Sequence, residues 1–174
     1  MAVLNPPRTV FEVFDMLPEG TLCQIINNTL VMSPAPTNPH QEVLMKISGR
    51  MFHFIDTKEL GELRVAPFDV YIDEENVFQP DIVFIATKNK HLLKDKGLFG
   101  APDLVIEILS PGTKKYDLGP KKDVYEKNDV KEYWAVDPVS KEVLFYQLQH
   151  GSFVEMPTQK ATIQSQLLGV SIKS

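Results

Sequence analysis

The chain has 174 residues, of which 43% are hydrophobic and 24% charged, and its formal net charge is −5. This composition is typical of a globular protein and excludes disordered, collagen-like and membrane-embedded chains, while the negative charge argues against a protein that coats nucleic acid by electrostatics alone. We expect one domain over residues 1–174 in a reducing, cytoplasmic setting, because Cys23 is the only cysteine and residues 1–20 lack the pattern of a secretion leader.

The first predicted elements are a short helix and a hairpin. Apolar residues at helical spacing over 9–17 predict the helix, which Pro18 and Gly20 end. Residues 22–26 and 29–32 then flank the pair Asn27-Asn28, which tolerates positive φ and predicts a tight hairpin turn.

A longer helix follows the loop SPAPTNP. Asn38 is expected to cap it, with Pro39 at its first position and Gln41 completing a capping-box pattern. Its apolar residues form one stripe and comprise Val43, Leu44, Ile47, Met51, Phe54 and Ile55.

The rest of the chain is rich in predicted strands. They are expected at 63–67, 69–72, 78–86, 104–109, 133–136, 143–148 and 152–155, with a helix over 120–128. The strand in APDLVIEILSP is apolar on both faces, so it is expected at the centre of the sheet. This order predicts an α/β fold with a mixed central sheet flanked by helices.

Two carboxylates stand out in these strands. Glu107 lies within an otherwise apolar strand, where a charge costs several kcal/mol unless it is paired, protonated or bound to a cation. It is therefore either one partner of a buried ion pair or a metal ligand. Asp81 follows Pro80 at the start of a strand, and it either bonds to turn amides or joins Glu107 at a site for a hard divalent cation.

Lys121 is the candidate cation beside these acids. On a helix that begins near Pro120 it shares the inward face with Val124 and Tyr125, whereas Lys122 lies one residue round. An inward ammonium could stabilise charge on a phosphoryl oxygen, and the alternative is a lysine that extends to solvent. Residues 87–131 hold 10 of the 18 basic side chains, which indicates either a phosphate-facing segment or a solvated Lys-rich loop.

Several motifs follow one another in a specific order along residues 9–153. They are VMSPAPTNPHQEV, GELRVAPFDVYI, QPDIVFI, PDLVIEILSPGT, YDLGPKKDVY and VKEYWAVDP. The series resembles the Uma family of putative restriction endonucleases, within the PD-(D/E)XK nuclease superfamily. The resemblance implies a restriction endonuclease-like core that binds Mg²⁺ or Mn²⁺ through Asp81, Glu107 and the Ile108 carbonyl, with DNA as substrate.

This sequence departs from the superfamily pattern at one catalytic position. Leu109 stands where the superfamily has lysine, and the family places a lysine at Lys121 instead. Asp129 replaces a residue that is usually glycine in the family, which concerns a turn and not the chemistry.

Three other polar residues are weaker candidates for the site. His40, on the apolar stripe of the long helix, is more often a satisfied half-buried side chain than a base. Glu42 and Asp69 are possible extra ligands, because the superfamily often adds an acid from its first helix.

The leading hypothesis is a Mg²⁺-dependent endonuclease in which Asp81, Glu107 and Lys121 are catalytic. The first alternative is a nuclease fold that has lost catalysis and serves as a binding or assembly module. The second is a metal-free hydrolase with two carboxylates set farther apart, as in glycosidases. A homodimer is expected, since small enzymes that cut two strands commonly pair by two-fold symmetry.

Overall fold

The computed structural model describes residues 9–173, which form helices packed on β-sheets. The helices are α1 (Val10–Asp15), α2 (Asn38–Thr57), α3 (Lys114–Asp117) and α4 (Pro120–Lys127), with a 3₁₀ helix at Thr87–Leu92. The strands are β1 (Cys23–Ile26), β2 (Thr29–Met32), β3 (Gly61–Val65), β4 (Val70–Asp73), β5 (Asn76–Phe78), β6 (Ile82–Ala86), β7 (Leu93–Lys94), β8 (Gly97–Phe99), β9 (Leu104–Ile108), β10 (Glu132–Val136), β11 (Glu142–Gln149), β12 (Ser152–Lys160), β13 (Thr162–Ser165) and β14 (Val170–Lys173). The expectation about a secretion leader concerns residues 1–20, of which residues 1–8 lie outside the described range. None of the described helices is long and apolar enough to cross a bilayer.

The N-terminal helix and hairpin form where the sequence predicts them. Thr9 caps α1 in a reciprocal capping box with Glu12. β1 and β2 pair antiparallel, and the turn between them places Asn27 and Asn28 at φ values of 49° and 57°. Asparagine accepts this left-handed conformation more readily than most residues, which is why the pair predicted the turn.

The long helix α2 has the predicted apolar stripe but a different start. Asn38 is its first helical residue, and the extended residue before it, Thr37, occupies the cap without a side-chain hydrogen bond. The predicted capping box from Asn38 to Gln41 is therefore wrong, because the helix begins one residue earlier than the pattern indicated. The buried stripe packs on the sheet through residues that include Val43, Ile47 and Met51.

The central sheet is mixed, as predicted, and β9 lies within it. Its strand order is β12-β11-β10-β9-β6-β3, and β9 runs parallel to β10 and antiparallel to β6. Leu104, Ile106 and Ile108 pack on the face that α2 covers, while Val105 packs on the opposite face with α4. Since side chains alternate along a strand, Glu107 lies on the α4 face.

One predicted strand is divided between two sheets. Residues 78–86 were expected to form a single strand, but β5 ends at Phe78 and belongs to a second sheet of order β2-β1-β5-β4-β8-β7. The break falls at Gln79-Pro80-Asp81, where proline has no N–H to continue a ladder. Asp81 therefore lies at the junction of the two sheets.

The turn from α4 to β10 gives a testable stability prediction. Asp129 is exposed and has φ 61°, a conformation that glycine adopts without steric cost. We expect Asp129→Gly to raise the free energy of unfolding by about 0.5 kcal/mol and Asp129→Ala to lower it. Urea unfolding of the three proteins measures both changes, and a less stable glycine variant would contradict the prediction.

Candidate active site

Asp81 and Glu107 meet where β6 and β9 lie side by side. The main-chain N–H of Ile108 donates to Asp81 Oδ2 at 2.6 Å, and the N–H of Asp81 donates to Glu107 Oε2 at 3.3 Å. Each carboxylate is thus held by the backbone of the strand that carries the other. The pairing of two separate strands brings together the two acids that the sequence singled out.

Glu107 is almost fully buried on the α4 face of the sheet. Its side chain is 4% exposed, and its Oε1 accepts hydrogen bonds from the Tyr125 hydroxyl at 3.2 Å and the Lys121 ammonium at 2.5 Å. Burial raises the pKa of Glu107 to about 8, with the Lys121 charge acting against that shift and the Asp117 charge adding to it. The contact with Lys121 is the buried ion pair that was one of the two alternatives for Glu107.

Lys121 points inward from the first turn of α4, as the helical spacing predicted. Its side chain is 2% exposed and lies between Glu107 and Asp117 Oδ1, which is 3.2 Å from Nζ. Burial opposes its charge, but Glu107 and Asp117 outweigh burial and raise the pKa of the ammonium. The alternative in which Lys121 extends to solvent does not hold in this structure.

Asp117 is a member of this cluster that the sequence reasoning missed. It lies at the end of α3, is buried, and has its own carbonyl bound by the Tyr133 hydroxyl at 2.8 Å. The signal was present in the sequence, because Asp117 and Lys121 are four residues apart, the spacing at which helical side chains meet. Asp117 lies on α3 and Lys121 on α4, so the helix that was predicted to begin near Pro120 did not include Asp117.

His40 approaches the cluster from the first turn of α2. Its Nε2 lies 3.2 Å from Asp81 Oδ2, and its Nδ1 is buried without a hydrogen-bond partner among the described residues. Burial acts against protonation, but the hydrogen bond and charge of Asp81 outweigh it and raise the pKa of the imidazole. The sequence favoured a satisfied half-buried side chain, whereas the side chain is 8% exposed and its Nδ1 lacks a hydrogen-bond partner within residues 9–173.

The other candidates lie away from this cluster. Glu42 pairs with Lys46 on the exposed side of α2, and Asp69 accepts a hydrogen bond from Gln79 near the second sheet. Leu109, at the position where the superfamily has lysine, is buried among apolar side chains of the α4 face. The structure therefore gathers His40, Asp81, Glu107, Asp117 and Lys121 and leaves out Glu42 and Asp69.

A cavity of about 300 Å³ opens onto this cluster. The buried acids and Lys121 form its deep end, and two loops line it nearer the surface, residues 33–37 between β2 and α2 and residues 110–113 after β9. A small phosphate-containing ligand could reach Asp81, the most exposed of the three predicted catalytic side chains.

The cluster fits a hard divalent cation held by few protein ligands. No three His, Cys, Asp or Glu side chains within residues 9–173 converge to hold one metal ion. Mg²⁺ commonly binds through one or two carboxylates and takes its remaining oxygens from backbone, substrate phosphate and water. Asp81 and Glu107, with the Ile108 carbonyl, supply oxygen donors of that class.

Comparisons with known proteins give one family and one fold. The family model described as "Uma2: Putative restriction endonuclease" matches residues 11–173. A crystal structure of a putative nuclease belonging to DUF820 from Anabaena variabilis is similar with a TM-score of 0.74 at 16% identity, over 94% of this chain and 92% of that chain. No curated protein matches the sequence. The fold is therefore shared with a solved nuclease-like structure.

Proposed function

Because this chain belongs to the Uma2 family of restriction endonuclease-like proteins, we propose that it hydrolyses DNA phosphodiester bonds with Mg²⁺ or Mn²⁺ at Asp81 and Glu107. The observation that carries the proposal is the meeting of these two acids with the buried Lys121 at the end of one cavity. A buried carboxylate with a strongly raised pKa, in a cleft and beside a specific charge partner, is typical of a functional site.

In the proposed reaction, the two carboxylates bind the metal and the lysine stabilises charge on the phosphate. Asp81 and Glu107 would hold the metal, with the Ile108 carbonyl beside them. When bound, Mg²⁺ offsets charge on the phosphate and makes water a better nucleophile. The Lys121 ammonium would stabilise charge that develops on the phosphoryl oxygens as the water oxygen bonds to phosphorus and one P–O ester bond breaks. The departing oxygen takes a proton, so the products are a phosphomonoester and a hydroxyl.

His40 supports Asp81 in this proposal. With Nε2 at 3.2 Å from Oδ2, the ring fixes the orientation of the carboxylate from the side of α2. Hydrogen bonds to a ligating carboxylate commonly set its direction and affinity for metal. We assign His40 as a positioning residue.

The cellular setting and oligomeric state follow as further proposals. Cys23 is free and buried, which suits a reducing cytoplasm. A homodimer stays a prediction, and sedimentation velocity of the purified protein would test it.

The proposed function predicts that Asp81→Asn and Glu107→Gln each lower DNA cleavage by at least about 100-fold, because each removes one of two charged metal ligands. Labelled single-stranded and duplex DNA are incubated with the wild type and each variant in Mg²⁺, Mn²⁺ or EDTA. Calorimetry of the same proteins measures metal affinity, which both substitutions should weaken.

Glu42→Gln is the matched control, since Glu42 is an exposed acid that pairs with Lys46 on the outer side of α2, away from the cluster. It should cleave like the wild type. Cleavage that persists in both site variants would refute the site. Metal-independent cleavage would favour the hydrolase that uses carboxylates alone, and DNA binding without any cleavage would favour the inactive module.

A further inference from the structure

The depth of the site limits which nucleic acids can reach it. The Asp81 side chain is 16% exposed, while those of Glu107 and Lys121 are 4% and 2% exposed. The reacting phosphate must therefore enter the cavity, because these groups do not extend to the surface.

Two loops meet at the rim of that cavity. Pro34 and Gly112 are both exposed and line it, and a methyl group placed on Gly112 would lie 3.4 Å from Pro34 Cγ. The loops 33–37 and 110–113 therefore approach each other beside the opening, with room for little more than a methyl group between Pro34 and Gly112.

Both loops are held in this position by their own hydrogen bonds. Ser33 donates from its N–H to the Leu22 carbonyl at 2.8 Å, and its hydroxyl accepts from Gln24. On the other side the Ser110 and Thr113 hydroxyls are 2.9 Å apart. Prolines at 34, 36 and 111 fix φ at three further points, which restricts the backbone motion of both loops.

The cavity matches one nucleotide and not a double helix. Its volume of about 300 Å³ is at the small end of ligand pockets. A duplex is a stiff rod, with a persistence length of about 50 nm, and does not bend sharply enough to lower one phosphate into so small a cavity. A single strand rotates freely about its backbone bonds, so one phosphate and its sugar can enter alone.

The surface beside the rim has the composition that single strands favour. Lys114 and Lys115 directly follow the lining residue Thr113 and are exposed, and Lys115 Nζ lies 4.7 Å from the centre of the Tyr116 ring. Proteins that bind single strands use such cations to hold the backbone, and here the lysines supply that part, since Tyr116 is partly buried against the core.

Building on the proposed function, we propose that the site takes single-stranded DNA, including unpaired ends and flaps, and excludes intact duplex. The rim formed by the loops 33–37 and 110–113 sets this choice. Lys114 and Lys115 bind the strand as it enters.

The test compares one labelled oligonucleotide as a single strand, a blunt duplex and a duplex with an unpaired flap, each in Mg²⁺ or Mn²⁺. The single strand and the flap should be cut at least about 10-fold faster than the duplex. Equal or faster cutting of the blunt duplex would overturn the inference while leaving the proposed function intact.

Pro34→Gly probes the rim itself, with Pro36→Gly as a second variant should the first fail to fold. Either should raise duplex cleavage relative to single-strand cleavage by at least about 3-fold, because the loop loses its fixed backbone. Pro157→Gly, at an exposed site in β12, is the matched control and should leave the ratio unchanged. A ratio that neither rim variant changes would overturn the role of the loops.

Binding separates failure of the inference from failure of the proposed function. If no DNA is cut by the wild type, the proposed function fails, and fluorescence anisotropy with the same three DNAs decides the substrate class. The inference is supported if the single strand binds more tightly than the duplex and if Pro34→Gly reduces that difference. Equal or tighter binding of the duplex overturns it.

Discussion

Replacing Lys121 with methionine is expected to lower the free energy of unfolding by about 3 to 5 kcal/mol. The ammonium is buried 2.5 Å from Glu107 Oε1 and 3.2 Å from Asp117 Oδ1. Methionine fills similar space but leaves two carboxyl groups without a cation where little water enters, and the chain must then protonate them or expose them. Urea unfolding followed by the fluorescence of Trp134, the single tryptophan, measures the loss.

Two further variants make this result specific to the ion pairs. Lys122→Met removes the neighbouring lysine, whose Nζ lies 4.9 Å from the centre of the Tyr146 ring, and should cost less than about 1 kcal/mol. Adding Glu107→Gln to Lys121→Met should recover at least about 1 kcal/mol, because one of the two uncompensated acids becomes neutral. If Lys121→Met were no less stable than Lys122→Met, the buried pairs would not be what stabilises this cluster.

Because Lys121 stabilises the fold and is also proposed to act on the phosphate, a loss of DNA cleavage in Lys121→Met has two possible causes. A residue that neutralises buried acids and also acts on phosphate loses both effects when it is removed. Cleavage by Lys121→Met must therefore be measured at a temperature and denaturant concentration where the variant is folded. Under those conditions, activity that remains at the wild-type level would limit Lys121 to stabilising the fold.

Local patterns in the sequence predicted most of the elements. The stripe of α2, the turn at Asn27-Asn28 and the two-sided apolar strand β9 each depend on neighbouring residues, and each forms as expected. The short strands β7 and β8 did not emerge, because two or three residues are too few to show a period. The division of residues 78–86 depends on which sheet each half joins, and that is a property of the tertiary fold.

The sequence predicted those residues of the candidate site whose chemistry is unusual for their place in a strand or helix. Glu107 was conspicuous because a charge interrupts an apolar strand, and Lys121 because of its position on a helix face. His40 joins the cluster through a contact with Asp81, 41 residues along the chain, and that separation leaves no periodic signal in a single sequence. Asp117 contacts Lys121 only four residues away, but the two residues lie on different helices, α3 and α4.

Glu132 carries the second large prediction, because it is a buried carboxyl of a different kind. It begins β10, is fully buried like Glu107, and pairs with no lysine or arginine in the described range. Three neutral donors satisfy it: Leu167 N–H at 2.6 Å, the Ser165 hydroxyl at 2.7 Å and the Trp134 indole N–H at 3.2 Å. These bonds tie the segment around the β13–β14 hairpin to the central sheet.

We expect Glu132→Ala to lower the free energy of unfolding by about 3 to 5 kcal/mol, since the buried Ser165 hydroxyl and Trp134 indole lose their acceptor together with the part-buried Leu167 N–H. Its metal affinity by calorimetry should match the wild type. Glu107→Gln should lose metal affinity, because the amide carries no charge for the cation, and it should also lower stability, because Lys121 then keeps only Asp117 as its partner. Lost metal binding in folded Glu132→Ala, or retained binding in Glu107→Gln, would contradict this assignment of one buried acid to the fold and the other to the site.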